Sequence, residues 1–367
     1  MKRVETVIVG GGPAGAATAC GLAALGHDVV LVERAGGPHH KVCGEFLNIE
    51  TQTQLRRLGV DVAALGAVPI EQVSIYLASR NITAALPFRA MSLSRYRLDE
   101  ALLRCARDRG AQIKRSVSVQ TATPDGAAWK VKCDDGDIMH CRHLVLATGK
   151  WGLRGIEDAR DNSLVGLKMH LRPTASVRRA LAGRVELSLL QRSYVGLELI
   201  EDGIANLCFL LPRDVVARLT PGWQAMQDYL TTALPGLAER LAGAEPLWNK
   251  AIAVVCPIGG HLHGNDERSV YRVGDRLAHI PPFTGDGLAI ALGSAALAVE
   301  HIRLGRPPAA YSVAARRLTG TAIRFASTVS GLATSSMGQR ALMGAAICAP
   351  ALIKTIARRT RLPIMAH

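Results

Sequence analysis

Residues 10–15 read Gly-Gly-Gly-Pro-Ala-Gly, with a short β-branched run, Glu5–Val9, before them and a small, apolar stretch, Ala16–Leu25, after them. That order spells a strand, a tight turn and a helix closed at Gly26. Gly10, Gly12 and Gly15 have the G-x-G-x-x-G spacing. The first glycine permits the sharp turn, the second lets the backbone approach a pyrophosphate, and the third lets helix and strand pack closely. Pro13 and Ala14 fall at the start of the helix, where free N–H groups and the positive dipole end favour an anion. A second strand, Asp28–Val32, ends at Glu33, where a carboxylate accepts the hydroxyls of an adenosine ribose. Strand, turn, helix and acid agree, so the chain is predicted to bind a dinucleotide within an α/β fold.

The 367 residues are enough for two domains or one large one, with a real core. Their net charge of +14 raises three readings: nucleic acid, an anionic membrane, or anionic ligands. The position of the charge separates them. No acidic residue follows Glu300, whereas Arg303, Arg306, Arg316, Arg317, Arg324, Arg340, Lys354, Arg358, Arg359 and Arg361 all do. The rest of the chain is mildly basic and no nucleic-acid motif accompanies the excess, so nucleic acid is not expected as a partner. The eight cysteines form no C-x-x-C pair and no Cys/His ligand spacing, so neither a metal site nor a disulfide framework is expected. Glycines 10, 11, 12 and 15 interrupt the apolar run near the N-terminus, which argues against a signal peptide. A cytoplasmic protein with reduced thiols is predicted.

Three more motifs follow. Ser94-Arg95-Tyr96-Arg97-Leu98-Asp99 opens a helix through Arg109, closed by Gly110. His143–Ala147 is a strand running into Thr148 and Gly149. Ser269–Val273 is a strand leading to Gly274-Asp275, then to Pro281-Pro282-Phe283-Thr284-Gly285-Asp286-Gly287 and a small-residue helix from Leu288 to Ile302. In their order and spacing these motifs resemble the FAD-dependent superfamily of geranylgeranyl reductases and p-hydroxybenzoate-hydroxylase-type monooxygenases, over about residues 4–305.

The resemblance implies a Rossmann-like, GR2-type FAD-binding domain with an inserted antiparallel β-sheet substrate domain and a helical C-terminal tail. It implies FAD as cofactor, with Gly10, Gly12, Pro13, Ala14 and Gly15 at the pyrophosphate and Glu33, with Arg34 beside it, at the adenosine ribose. Arg95 would contact the phosphate or ribityl side, and Asp275 the ribityl chain. The backbone of Gly285, Asp286 and Gly287 would approach the isoalloxazine, with Gly149, Pro282 and Leu288 along the rest of the cofactor. The domains are expected at 1–65, 91–162 and 250–305 for FAD and at 66–90 and 163–249 for the substrate, with a basic helical segment at 306–367.

In the substrate half, Leu164–Leu171, Val185–Leu190, Tyr194–Ile200 and Ile204–Leu211 read as strands, the last two joined at Glu201-Asp202-Gly203. Pro212–Leu241 is predicted helical, with caps near Pro221 and Pro235. The stretch His39-His40-Lys41-Val42-Cys43-Gly44-Glu45-Phe46-Leu47 matches the C-G motif of the geranylgeranyl reductase branch, whose cysteine segment lies beside flavin and substrate. Cys43 and Gly44 are therefore candidate cofactor contacts, and the Cys43 thiol or the Glu45 carboxyl is a candidate proton donor beside a flavin hydride. The other reading of Cys43 is a small buried hydrophobe. His39 and His40 are expected to be solvated loop residues.

Two departures matter. The hydroxylases follow A-T-G with Asp-Gly, whereas this chain has Lys150-Trp151-Gly152, which leaves the electron donor open between NAD(P)H and a separate reductase. The W-x-W-x-I-P signature of flavin halogenases is absent as well. The main expectation is hydride transfer from flavin to a C=C bond of a hydrophobic isoprenoid, lipid-like or polyketide-derived small molecule. The alternative is a monooxygenase that hydroxylates a phenolic or polyketide substrate through a C4a-hydroperoxide. A third reading is a non-catalytic flavin protein at a membrane. In the tail, Ala341–Ile353 is uncharged and too short to span a bilayer of ~20 residues. With its basic flanks it suits either an anionic membrane surface, peripheral to the inner membrane, or a core-packed helix.

Overall fold

The computed structural model describes residues 2–153, 164–219, 222–256, 261–262 and 270–363. One sheet carries five parallel strands in the order Gln112–Arg115, Val29–Glu33, Lys2–Val9, Ile138–Leu146 and Val270–Arg272. The hairpin Val119–Asp125/Ala128–Cys133 extends it antiparallel along the first half of Ile138–Leu146. Parallel pairing needs crossovers, and the helices Pro13–Ala24 and Arg95–Asp108 cover one face as in doubly wound folds. Ser94 caps the second of these by accepting from the Arg97 N–H at 3.2 Å. The predicted turn, helix and Glu33 strand stand where the glycine spacing put them. The predicted strand start at Ser269 and residues 154–163 lie outside the described residues, as does the predicted cap at Pro221.

The second sheet runs Glu245–Pro246, Leu164–Arg172, Ala205–Pro212, Ser193–Leu199, Gly183–Leu190, Val68–Leu77, Arg80–Ser92 and Phe46–Leu47. It is mixed rather than purely antiparallel, because Gly183–Leu190 pairs parallel with Val68–Leu77. The reason is topological: the chain returns to the 66–92 hairpin after a crossover through the first sheet. Ile252–Cys256 pairs with Leu164–Lys168, so this strand extends the substrate sheet and not the FAD-binding half, where residue 250 onward was expected. The predicted helical stretch is three helices, Arg213–Arg218, Trp223–Ala233 and Pro235–Leu241, the last starting at the expected cap Pro235. They cover one face of this sheet, where Leu167, Met169, Leu207 and Phe209 alternate inward.

The basic C-terminal segment is helical but is no appended tail. After Gly287–Arg303, the long helix Pro308–Thr334 buries Tyr311, Ala315, Ala322, Ile323 and Ala326 in the main core. The helices Ser336–Cys348 and Ala351–Arg359 then fold over the free face of the second sheet, where Ala346 and Ile353 join Ile70, Val73 and Val185. Ala349 and Pro350 break the predicted uncharged run into two helices. No single helix among the described residues is long and apolar enough to cross a membrane.

Candidate active site between the two sheets

A cavity of about 760 Å³ runs between the sheets. Its first end is made of backbone. Gly10 adopts φ +106, and a Cβ there would meet the Ala147 carbonyl oxygen at 2.4 Å. A Cβ on Gly15 would meet the Gly10 carbonyl oxygen at 2.0 Å. At Gly12 the nearest atom to such a Cβ is Nη2 of Arg95, 3.9 Å away, so the space over the helix N-terminus is open and faces a cation. Two glycines thus close the turn and the third leaves room for a pyrophosphate. Glu33 is oriented by its own backbone neighbours: the Gly11 N–H donates to Oε2 at 2.5 Å and the Ala35 N–H to Oε1 at 2.9 Å. Arg34 lies over the Trp151 ring at the cavity wall, 5.0 Å from its centroid.

Arg95 is held by a bidentate pair to Asp99, with Nε–Oδ1 2.6 Å and Nη2–Oδ2 2.7 Å. Lys41 adds a third contact to that carboxylate at 3.2 Å. Burial alone would push the Asp99 carboxyl up, but Arg95 and Lys41 outweigh it and hold the carboxyl below its ordinary value. Asp275, Gly149, Pro282, Gly285, Gly287 and Leu288 all line the cavity. Asp286 does not. It is fully buried behind the loop, accepting from Asn48 Nδ2 at 2.9 Å and paired with Arg361 at 2.7 Å. Burial raises its carboxyl to about 6 against the opposing pull of Arg361. Its side chain therefore braces the 281–287 loop from behind, while the flanking Gly285 and Gly287 line the cavity.

The residues brought together here fit FAD: the open helix N-terminus at Gly12 would cradle the pyrophosphate, Glu33 would receive the ribose, and the cavity continues past Asp275 and Gly285. Residues 3–157 match the family described as "FAD binding domain". The protein is a FAD-dependent redox enzyme. The "Menaquinone reductase" of Mycolicibacterium smegmatis is 25% identical over 331 residues, 83% of this chain and 77% of the relative. A "Menaquinone reductase" of Mycobacterium tuberculosis is 26% identical over 152 residues, 40% of this chain and 37% of the relative. Among solved structures, the flavin-dependent brominase Bmp2 superposes with a TM-score of 0.79 at 18% identity, over 98% of this chain and 93% of that one. The PqsL protein of P. aeruginosa, in complex with 2-aminobenzoylacetate, gives 0.74 at 16%, over 94% and 99%. At these identities the structural likenesses establish the fold of this FAD-dependent enzyme and leave its substrate open.

Beyond the cofactor end, the cavity meets a buried polar seam. Glu45, at φ 57 and fully buried, receives the Arg95 N–H at 2.7 Å, His170 Nε2 at 3.1 Å and an ion pair from Lys168 Nζ. Burial would push its carboxyl up, but Lys168 and His170 outweigh it, so the group is held below its ordinary value. A carboxylate held ionised has no proton to deliver, which turns Glu45 from the expected donor into an anchor. His40 is not a solvated loop residue. Its ring packs on Tyr96 at 5.0 Å, His170 at 4.8 Å and Trp248 at 4.8 Å between centroids. Burial, with His170 and Lys168 nearby, lowers its pKa to about 4. His39 is exposed, as expected.

Cys43 lines the cavity beside Arg95, with the Glu45 N–H donating to its Sγ at 3.3 Å. Across from it stand residues that the motifs did not reveal. Glu198 is buried in the cavity wall and accepts from Asn206 Nδ2 at 2.7 Å, and the same amide donates to the Cys43 carbonyl at 3.2 Å. Burial raises the Glu198 carboxyl to about 8; the Asn206 bond opposes this, and the nearby Glu45 charge adds to it. Cys208 lines the same wall, its thiol pushed up by burial and by Cys43. Register explains the cluster. Lys168 faces Cys208, His170 faces Asn206, and Asn206 faces Glu198 on adjacent strands. Polar residues two apart in otherwise apolar strands, as in Leu167-Lys168-Met169-His170-Leu171, were the available signal.

Proposed function

We propose that the enzyme reduces a C=C bond of an apolar, lipid-soluble substrate such as a prenylated quinone or isoprenoid. The observation that carries this reading is the far end of the cavity. It is walled by Val73, Ile75, Val185 and Leu187 of the second sheet and by Met343 and Ile353 of the last helices, a lining that removes apolar surface from water and offers few partners to a polar ring. The mycobacterial relatives, named menaquinone reductases, support reduction as the reaction class.

FAD, when bound, supplies hydride to carbon. The chain's own residues do the rest. Gly12, Arg95 and Glu33 would hold the cofactor's phosphate and ribose ends, and Asp275 would bond its ribityl chain. The apolar wall seats the double bond and excludes water. Glu198 holds a proton in a buried carboxyl at neutral pH and, with the Cys43 thiol, is the candidate donor to the second carbon. Glu45, Lys168 and His170 orient the Cys43–Gly44 segment as a rigid, charged base.

Anaerobic turnover of the reduced holoenzyme with prenylated quinones, followed by mass spectrometry, tests this. The expected product carries two added hydrogens. A product bearing an oxygen atom from labelled O₂, formed with no saturated product, would overturn the reading in favour of a monooxygenase.

A further inference from the structure

We infer that the outer faces of the last two helices dock on an anionic membrane surface, so that the roof of the cavity rests against lipid. The helix Ser336–Cys348 has two apolar sides. Leu342, Met343 and Ala346 point into the cavity. At helical spacing on the opposite side lie Met337, Ala341, Gly344 and Cys348, flanked by Arg340 and Ile347. Met337 is 84% exposed and Ile347 47%, and Leu332, closing the preceding helix, is 43% exposed. A helix with one face against protein and the other against water carries polar residues on the second face; here that face holds one charged residue, Arg340.

The helix that follows, Ala351–Arg359, bends away by 118°. Its inner residues Leu352, Ile353 and Ile356 also line the cavity, while Lys354, Thr355, Arg358 and Arg359 face outward and are exposed. An apolar stripe next to a cationic one matches the boundary between acyl chains and anionic headgroups. Because the inner faces roof the cavity, the pair lies on a bilayer instead of crossing it. A second copy of this chain is the rival occupant of the apolar stripe. A two-fold contact is self-complementary and would bring Lys354, Arg358 and Arg359 close to their own duplicates with no acid after Glu300 to offset them. This inference deepens, and rests on, the reading of the cavity as a site for a lipid-soluble substrate: the helices that touch lipid are the chamber's wall.

Flotation of the full-length holoenzyme with phosphatidylcholine vesicles, with and without phosphatidylglycerol, is the test. Binding is expected to the anionic vesicles and to weaken in high salt. It is expected to weaken by about tenfold or more in Lys354→Glu/Arg358→Glu/Arg359→Glu and in Met337→Ser/Ile347→Ser. None of these residues lines the cavity, so flavin absorbance and turnover of a detergent-dispersed substrate should be unchanged. Equal flotation on both vesicle types, no flotation at all, or variants that bind like the parent would overturn the inference. So would a doubling of mass by light scattering that disappears in Met337→Ser/Ile347→Ser, which would assign the face to a dimer. Intact flotation without reduction of any substrate would instead sink the proposed function and leave the docking face standing. Turnover of the dispersed substrate without flotation would do the reverse.

Discussion

The two ends of the cavity are built by different means. At the end that fits the cofactor, the surface is backbone: Gly10 and Gly15 are spaces no Cβ can enter, and Glu33 is tied to the N–H groups of Gly11 and Ala35. At the far end it is side chains of the second sheet and the last helices, and even the Asp286 that braces the 281–287 loop is held by Arg361 of the C-terminal segment. A backbone site tolerates no added atom but needs few partners. A side-chain site tolerates reshaping but depends on every buried charge being answered.

Between the ends, two buried glutamates take opposite states. Glu45 is held ionised by Lys168 and His170, whereas Glu198, with a neutral amide as partner, is held protonated to about 8. Neighbours rather than depth decide the difference, since both side chains are buried.

The largest effect should come from breaking the ion-paired member. Glu45→Gln leaves Lys168 buried without its counter-charge and should cost about 3–5 kcal/mol, read as a fall in denaturation midpoint. Because the Glu45 pKa is lowered on folding, its contribution is present above the ordinary carboxylate value and is lost as pH falls through the folded one. An acid limb in the stability profile that survives in Glu45→Gln would assign that limb elsewhere.

The backbone end is the next test. Gly10→Ala places a methyl 2.4 Å from the Ala147 carbonyl oxygen at a left-handed φ and should cost about 3 kcal/mol. Protein that folds should purify without flavin absorbance, and a yellow variant with native stability would show that the turn is not the clamp described. Arg361→Ala should cost less, about 1–3 kcal/mol, because Asp286 already titrates near 6 and can protonate when its partner is lost. Its sharper readout is flavin affinity, which should weaken if the C-terminal segment braces the 281–287 loop. Unchanged affinity would separate roof from cofactor.

The smallest effect on stability is expected for Glu198→Gln at acidic pH, where a neutral amide replaces an acid that is protonated in both the folded and the unfolded state. The parent should lose stability as pH rises from about 4.5 towards about 8, since over that window the folded state holds a proton the unfolded state has released. The variant should flatten this slope. Turnover, by contrast, should fall ~100-fold or more if Glu198 supplies the proton, and a variant with parental turnover would leave the role to Cys43.

Several features could be read from neighbouring residues. Gly10 through Gly15, Ser94 as a helix cap and the Glu201–Gly203 connection each follow from local sterics or from a hydrogen bond spanning a few residues. The parallel pairing of Gly183–Leu190 with Val68–Leu77 could not be read this way, because alternation gives a strand's faces but not its neighbour. His40 looked solvated because Tyr96, His170 and Trp248, which cover it, lie far away in sequence.

The sequence by itself determined the cofactor end: glycine spacing and a strand-terminal acid encode a backbone shape, and backbone shape is set by steric limits a few residues long. Only the tertiary structure decided the seam and the roof. Whether Glu45 carries a charge depends on Lys168 and His170, more than a hundred residues away, and the strand register brings them to it. Whether the basic tail dangles or covers the cavity depends on which face of Ser336–Cys348 meets the sheet. Both are long-range packing choices, made by burying apolar area and answering buried charge across the whole chain.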